Sequence, residues 1–280
     1  MSELFIELYS EEMPPNLQIS ARIQLQKLLS ENLSSMNLKY KDLVTFSTPT
    51  RLTAFVSNLP DKIKIPATEV KGPKVGLPQN VIENFAKKIK SSMKDLYKKK
   101  LEKGEFYYVK IKAREISTED ELAKSIPEFL KEISWKKSMK WSDYDLNWGR
   151  PLRSILAIFD KKPLKFKYAH LETVNFTIIE EYGEIKQKKI KDFDEYQNFL
   201  KKNEIILDHN ERAEFISKKI HSICKMKSCK ESVDHSLLSE VTNLVDKPRV
   251  IVAKFDKDYL KLPKEIIKST LQSHQRYFTL

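Results

Sequence analysis

The stretch Leu237–Phe278, LLSEVTNLVDKPRVIVAKFDKDYLKLPKEIIKSTLQSHQRYF, has three parts. Leu237, Leu238, Val241, Leu244 and Val245 recur at helical spacing and mark one apolar stripe. Lys247-Pro248 ends that helix, because proline has no amide proton and drives the residue before it towards extended backbone. Val250, Ile251, Val252, Ala253 and Phe255 then read as a short buried strand. A second helix opens at Pro263 with Glu265 near its positive end and carries Ile266, Ile267, Thr270 and Leu271 on one face. It closes on Ser273-His274-Gln275-Arg276, where cations suit the negative helix end.

Upstream, Leu4, Ile6 and Leu8 alternate with Phe5, Glu7 and Tyr9, a strand with two usable faces. Glu11-Glu12-Met13-Pro14-Pro15 breaks it, and Asn16 is placed to cap a helix whose apolar face runs from Leu17 to Met36. Leu43–Thr48 and Arg51–Leu59 read as a hairpin turning at Thr48-Pro49-Thr50. Extended chain over Val70–Gly76, a short helix over Val81–Ile89 and a strand over Phe106–Lys112 follow. Thr118 and Glu121 make a capping box ahead of a helix that Pro127 should kink. Strands are expected at Ser154–Phe159, Leu164–Leu171 and Glu204–Asp208, and helices at Phe193–Lys201 and from Asn210. Strands and helices mixed in this way predict an α+β or mixed α/β fold. The expected division lies near residue 190, into regions 1–190 and 191–280.

The 280 residues are 40% hydrophobic and 10% aromatic, the composition of a globular protein. A net charge of +12 invites a nucleic-acid partner, but only eight of the 51 cationic residues are arginine. General lysine usage would give the same charge, and arginine is the residue favoured for bidentate phosphate contacts, so charge alone leaves RNA binding open. The acidic, alternating start does not read as a signal peptide, and no apolar run approaches the roughly 20 residues of a membrane span. Two cysteines argue against a disulfide scaffold and are compatible with a reducing compartment, and a cytoplasmic setting is expected.

Candidate sites are few. The Glu11-Glu12 pair reads as a solvated helix-entry loop, since no histidine or third polar group is near it. His221, Cys224, Cys229 and His235 offer zinc-ligand types at a spacing that fits no common finger, so small core thiols are the default and no metal is expected. No P-loop, GxGxxG, nucleophile elbow or Ser/His/Asp set occurs, so no catalytic residue is assigned. The segment Trp135–Arg153 interleaves aromatics with Lys140, Arg150 and Arg153, a pattern able to stack bases and hold phosphate. Trp141 and Trp148 ahead of a buried strand read better as core.

The Leu237–Phe278 block resembles a signature region of the glycine–tRNA ligase beta subunit family. That family has Glu-Val and Leu-Val pairs on a leucine-rich helix, here Glu240-Val241 and Leu244-Val245. A proline, a strand, Leu262-Pro263-Lys264-Glu265 and the His274-Gln275-Arg276-Tyr277-Phe278 close follow in family order. Ser10–Pro15, Arg51-Leu52, Lys71-Gly72-Pro73, Met139-Lys140-Trp141, Arg150-Pro151 and Glu211-Arg212 match further family motifs. Tyr9 stands where the family has glycine, and Thr50 replaces the first arginine of Pro-Arg-Arg-Leu. The family's Gly-His-Arg-Phe has no counterpart in Glu172–Ile179, ETVNFTII.

The resemblance implies a subunit that handles glycine tRNA within an ATP-using ligase of two alpha and two beta chains. The alpha subunit would activate the amino acid, and this chain would bind no cofactor of its own. It also implies a fold similar to the editing module of the phenylalanyl-tRNA synthetase beta chain, without implying editing. Arg51, Lys140, Arg150, Arg153, His274 and Arg276 are the candidates for RNA or partner contact, with Arg51 equally readable as a strand-end surface residue. Family beta subunits are longer and end in an anticodon-binding domain, so the chain reads as truncated inside a strand near Tyr277-Phe278-Thr279-Leu280. Other readings are a stand-alone RNA-binding or regulatory module, an inactive fragment that keeps the fold, and a generic interaction protein.

Overall fold

A computed structural model describes residues 2–89, 91–101, 104–229 and 233–279, in two compact units. The first joins residues up to Pro60 with those from Leu122 onward, and the second is Asp61–Glu121. The boundary expected near residue 190 therefore falls inside the first unit, where Ile190 and Phe193 share a core with Phe5.

In the first unit β1 (Ser2–Ser10) leads through Pro14 into α1 (Pro15–Ser35). Proline supplies the pre-set backbone at this entry, and no side chain caps it, so Asn16 is not the cap. Leu17, Ala21, Leu25, Leu29 and Leu33 form the buried stripe of α1. β2 (Leu43–Thr48) and β3 (Arg51–Leu59) make the expected hairpin.

The second unit contains β4 (Lys62–Ile65), β5 (Thr68–Lys74), α2 (Gln79–Lys88), β6 (Leu96–Leu101), β7 (Gly104–Ile111) and β8 (Arg114–Ser117). β4 pairs with β8, while β5, β7 and β6 form a three-stranded antiparallel sheet in that order. Gly72 on β5 is needed because a Cβ there would meet the Phe85 ring of α2 at 2.5 Å.

α3 (Thr118–Leu130) begins in the second unit and ends in the first. The Ser117 hydroxyl accepts from the Asp120 amide at the start of this helix, which runs on through Pro127. β9 (Leu152–Phe159) then joins the large sheet. The strand expected over Leu164–Leu171 shrinks to the two residues of β11 (Lys167–Tyr168), preceded by the equally short β10 (Lys162–Pro163). β12 (Leu171–Val174) follows a left-handed turn at Ala169, φ 52°, and runs parallel to β9. The sheet order is β11-β12-β9-β1-β3-β2, with β10 also on β9.

β13 (Phe176–Glu181) and β14 (Glu184–Lys189) form a separate hairpin, followed by α4 (Phe193–Lys202), α5 (His209–Lys227), α6 (His235–Thr242) and α7 (Lys264–Ser269). Two expected strands are absent. Residues 205–208 are extended without a ladder, Ile205 and Leu207 packing into the core. Val250–Phe255 also has no ladder, and Ile251 is 86% exposed. The chain's last described residues, 276–279, form no strand either. The architecture is α+β.

Because β1 is central, both of its faces are covered. Phe5 meets Phe193 and Tyr196 of α4 at ring-centroid distances of 5.2 and 4.5 Å, and Leu156, Ile158, Ile179 and Leu200 complete that core. Glu7 and Tyr9 share the Phe5 face by strand alternation. A carboxylate on the middle strand of a two-sided sheet must find partners inside the protein.

Candidate functional site

Glu7 is fully buried, and its partners come from three elements. The Thr177 hydroxyl of β13 donates to its carboxylate at 2.8 Å, the Tyr196 hydroxyl of α4 donates to Oε2, and Arg51 Nε of β3 lies 3.3 Å from Oε2. Arg51 also donates to the Ile178 carbonyl, sits 3.7 Å from Asp246 and lies over the Tyr9 ring at 5.1 Å. Burial lifts the Glu7 carboxyl above its usual range, and Arg51, Tyr196 and Thr177 pull against that lift. Burial opposes the Arg51 charge, and Glu7 and Asp246 outweigh it.

Arg212 of α5 is the second buried arginine. Its guanidinium donates to the carbonyls of Thr242 at 3.0 Å, Ile206 at 2.7 Å, Leu207 at 2.9 Å and Ser47 at 2.8 Å. Burial pushes it down to about 10, with nearby Asp246 opposing. One side chain thus ties β2, the entry to α5 and the end of α6 together. The Glu211-Arg212 pair was noted in the sequence only as a family match; nothing local signals that Arg212 points inward.

The remaining sequence candidates are scattered. Arg153 is about one-third exposed, donates to Glu180 at 2.7 Å, lies 3.5 Å from Glu11, and sits 5.7 Å from the Tyr9 ring. The structure brings Arg51 and Arg153 to this one ring. Lys140 is exposed and pairs with Asp145. Arg150 is half-buried and donates to the Gly149 carbonyl at 3.3 Å. Arg276 donates to Glu240 at 2.7 Å, and His274 is exposed. Four of the six are therefore held by carboxylates of the chain itself.

Trp148 is core, 1% exposed and 4.8 Å from Trp135, whereas Trp141 is half-buried with an edge towards His170. Cys224 packs with Ile216 and Ile220, and Cys229 Sγ lies 3.7 Å from the Cys224 carbonyl. No group of three metal-ligating side chains occurs among the described residues. Nor, among them, is any helix long and apolar enough to cross a membrane.

The arrangement is a load of buried charge spent on joining elements far apart in sequence, within a frame of strand, proline-entered helix and hairpin. A family model described as glycyl-tRNA synthetase beta subunit matches residues 4–280. The chain belongs to that family. It is 33% identical over 283 residues to the glycine–tRNA ligase beta subunit of Rickettsia felis and 34% identical over 280 residues to that of Rickettsia prowazekii. Each comparison covers 100% of this chain and 42% of the relative, so the chain spans less than half the length of these glycyl-tRNA synthetase beta subunits. The segment Glu172–Ile179 supplies the Thr177 hydroxyl to Glu7 and the Ile178 carbonyl to Arg51.

Proposed function

We propose that the chain is a tRNA-handling, non-catalytic part of a glycine–tRNA ligase that depends on an alpha subunit for charging. The family match along the whole chain carries this reading. The buried polar groups agree with it, since Glu7, Arg51 and Arg212 are committed to partners inside the fold. The whole enzyme would use ATP and glycine on the alpha subunit, in a cytoplasmic assembly of two alpha and two beta chains with glycine tRNA as substrate. The same reading carries the expectation that the fold is similar to the editing module of the phenylalanyl-tRNA synthetase beta chain, without editing activity.

The test is charging of glycine tRNA by this chain mixed with a glycine–tRNA ligase alpha subunit from the same source. Charging by the mixture, and by neither chain alone, is the expected result. No charging, together with separate elution of the two chains, would overturn the reading in favour of a stand-alone RNA-binding module or an inactive fragment.

A further inference from the structure

Positive charge is unevenly placed along the chain. Residues 68–112 hold twelve lysines against five carboxylates, so 45 of the 280 residues supply more than half of the +12 net charge. Six of these lysines lie on the three-stranded sheet of the second unit, whose two faces differ. Val109 of β7, 1% exposed and opposite Val70 and Leu96, marks the packed face. The other face carries Phe106, Tyr108 and Lys110 of β7, with Tyr97 and Lys99 of β6 and Glu69 and Lys71 of β5 as their cross-strand partners.

On this face cations and rings are interleaved, Tyr108 lying buried beneath them at 9% exposed. Lys71 Nζ lies 3.7 Å above the Phe106 ring, and Lys99 Nζ lies 5.2 Å from the centre of Tyr108. Tyr97 leans on Tyr108 at 6.1 Å and keeps 37% of its surface exposed. Glu69 is the face's one carboxylate among its described residues. It takes Lys99 at 2.9 Å and the Tyr97 hydroxyl, which fixes the tyrosine ring and leaves Lys71 and Lys110 to solvent.

We propose that this face binds an unpaired RNA segment, with Tyr97 stacking on a base and Lys71 and Lys110 meeting the flanking phosphates. A sheet face that alternates lysine with ring is suited to a polyanion that also carries flat apolar bases. An acidic polypeptide would satisfy the lysines, but a run of Asp and Glu carries no aromatic ring to stack on an exposed tyrosine, whereas every nucleotide does. Duplex RNA keeps its bases stacked within the helix and offers none to a ring. The proposal rests on the reading of the chain as an RNA-handling subunit, and it assigns that role to lysines outside the sequence candidates.

The experiment is fluorescence anisotropy of the 280-residue chain with a labelled unpaired RNA 12-mer, the same strand in a duplex, and poly-glutamate, across a salt series. The unpaired strand should bind more tightly than the duplex. Replacing Lys71 and Lys110 together by glutamine should flatten the log–log salt slope by about 1.4, at roughly 0.7 per phosphate contact on a single strand. Tyr97→Leu should weaken binding about 5- to 150-fold, the range of one lost stacking contact, whereas Tyr97→Phe, which keeps the ring and loses only its bond to Glu69, should bind within a few-fold of the parent. An unchanged slope and unchanged affinity in these variants, or tighter binding of poly-glutamate than of RNA, would overturn the proposal. If charging with the alpha subunit succeeds while these variants bind as the parent does, the surface is wrong and the subunit reading stands. If the face binds unpaired RNA and charging never occurs, the subunit reading fails and the surface stands.

Discussion

Arg51 Nε lies 3.3 Å from the Glu7 carboxylate, and neither side chain is more than 2% exposed. Removing Glu7 leaves the buried Arg51 with only the more distant Asp246, and removing Arg51 leaves the buried Glu7 with hydroxyl donors alone, and breaking such a pair costs about 3–5 kcal/mol. Glu7→Gln and Arg51→Met should each destabilise the protein by that order. The double variant should lose clearly less than the sum, since each single change includes the cost of stranding its partner. Urea unfolding of the four proteins measures this, and strict additivity would show that the pair is not coupled.

Arg212 makes a different case, because its four acceptors are all carbonyls. Lysine keeps the charge but lacks the planar fork that reaches Ser47 on one side and Thr242 on the other. Arg212→Lys should therefore cost about 2–4 kcal/mol, each stranded carbonyl adding about 1–3 kcal/mol before relaxation. A thermal melt within 1 °C of the parent, roughly the effect of half a kcal/mol in a protein of this size, would contradict it.

Much of this architecture was legible in the sequence. The alternation of β1, the leucine stripe of α1 and the Thr48-Pro49-Thr50 turn each carry their structure locally. Glu7 was not legible. On an alternating strand it looks like a solvent-side residue, and its hydroxyl partners Thr177 and Tyr196 lie 170 and 189 residues away. Val250–Phe255 misled in the opposite direction: it has strand residues, but a strand exists only where a neighbour supplies its ladder, and none does. β6 was missed because Lys98-Lys99-Lys100 hides the alternation, one face being the open, lysine-bearing one.

Gly149 is a position where the backbone has no spare room. A Cβ there would meet the Trp135 ring at 2.5 Å, and Trp135 rests against the buried Trp148. Gly149→Ala should push the indole aside and cost about 1–3 kcal/mol, as overpacking in a filled core does. Tryptophan emission should move with it, since two of the three tryptophans change surroundings together. An unchanged spectrum and melt would mean that the ring yields freely.

His209 opens α5 with little access to water, and its Nδ1 has no hydrogen-bond partner. Burial, helped by the positive field of Arg22 and Arg212, lowers its pKa to about 4 from an ordinary 6.5, against the pull of Asp208. Between those values the unfolded chain holds the imidazole proton and the folded protein does not. The unfolded state therefore binds more protons, and stability falls as pH drops from about 6.5 towards about 4. Above pH 6.5 both states are neutral at this residue, and the dependence from it vanishes. His209→Gln removes the group from both states, so urea unfolding followed from pH 7 to pH 4.5 should fall less steeply in the variant than in the parent. Parallel curves would show that His209 is protonated as easily folded as unfolded, and that carboxylates elsewhere set the acid limb.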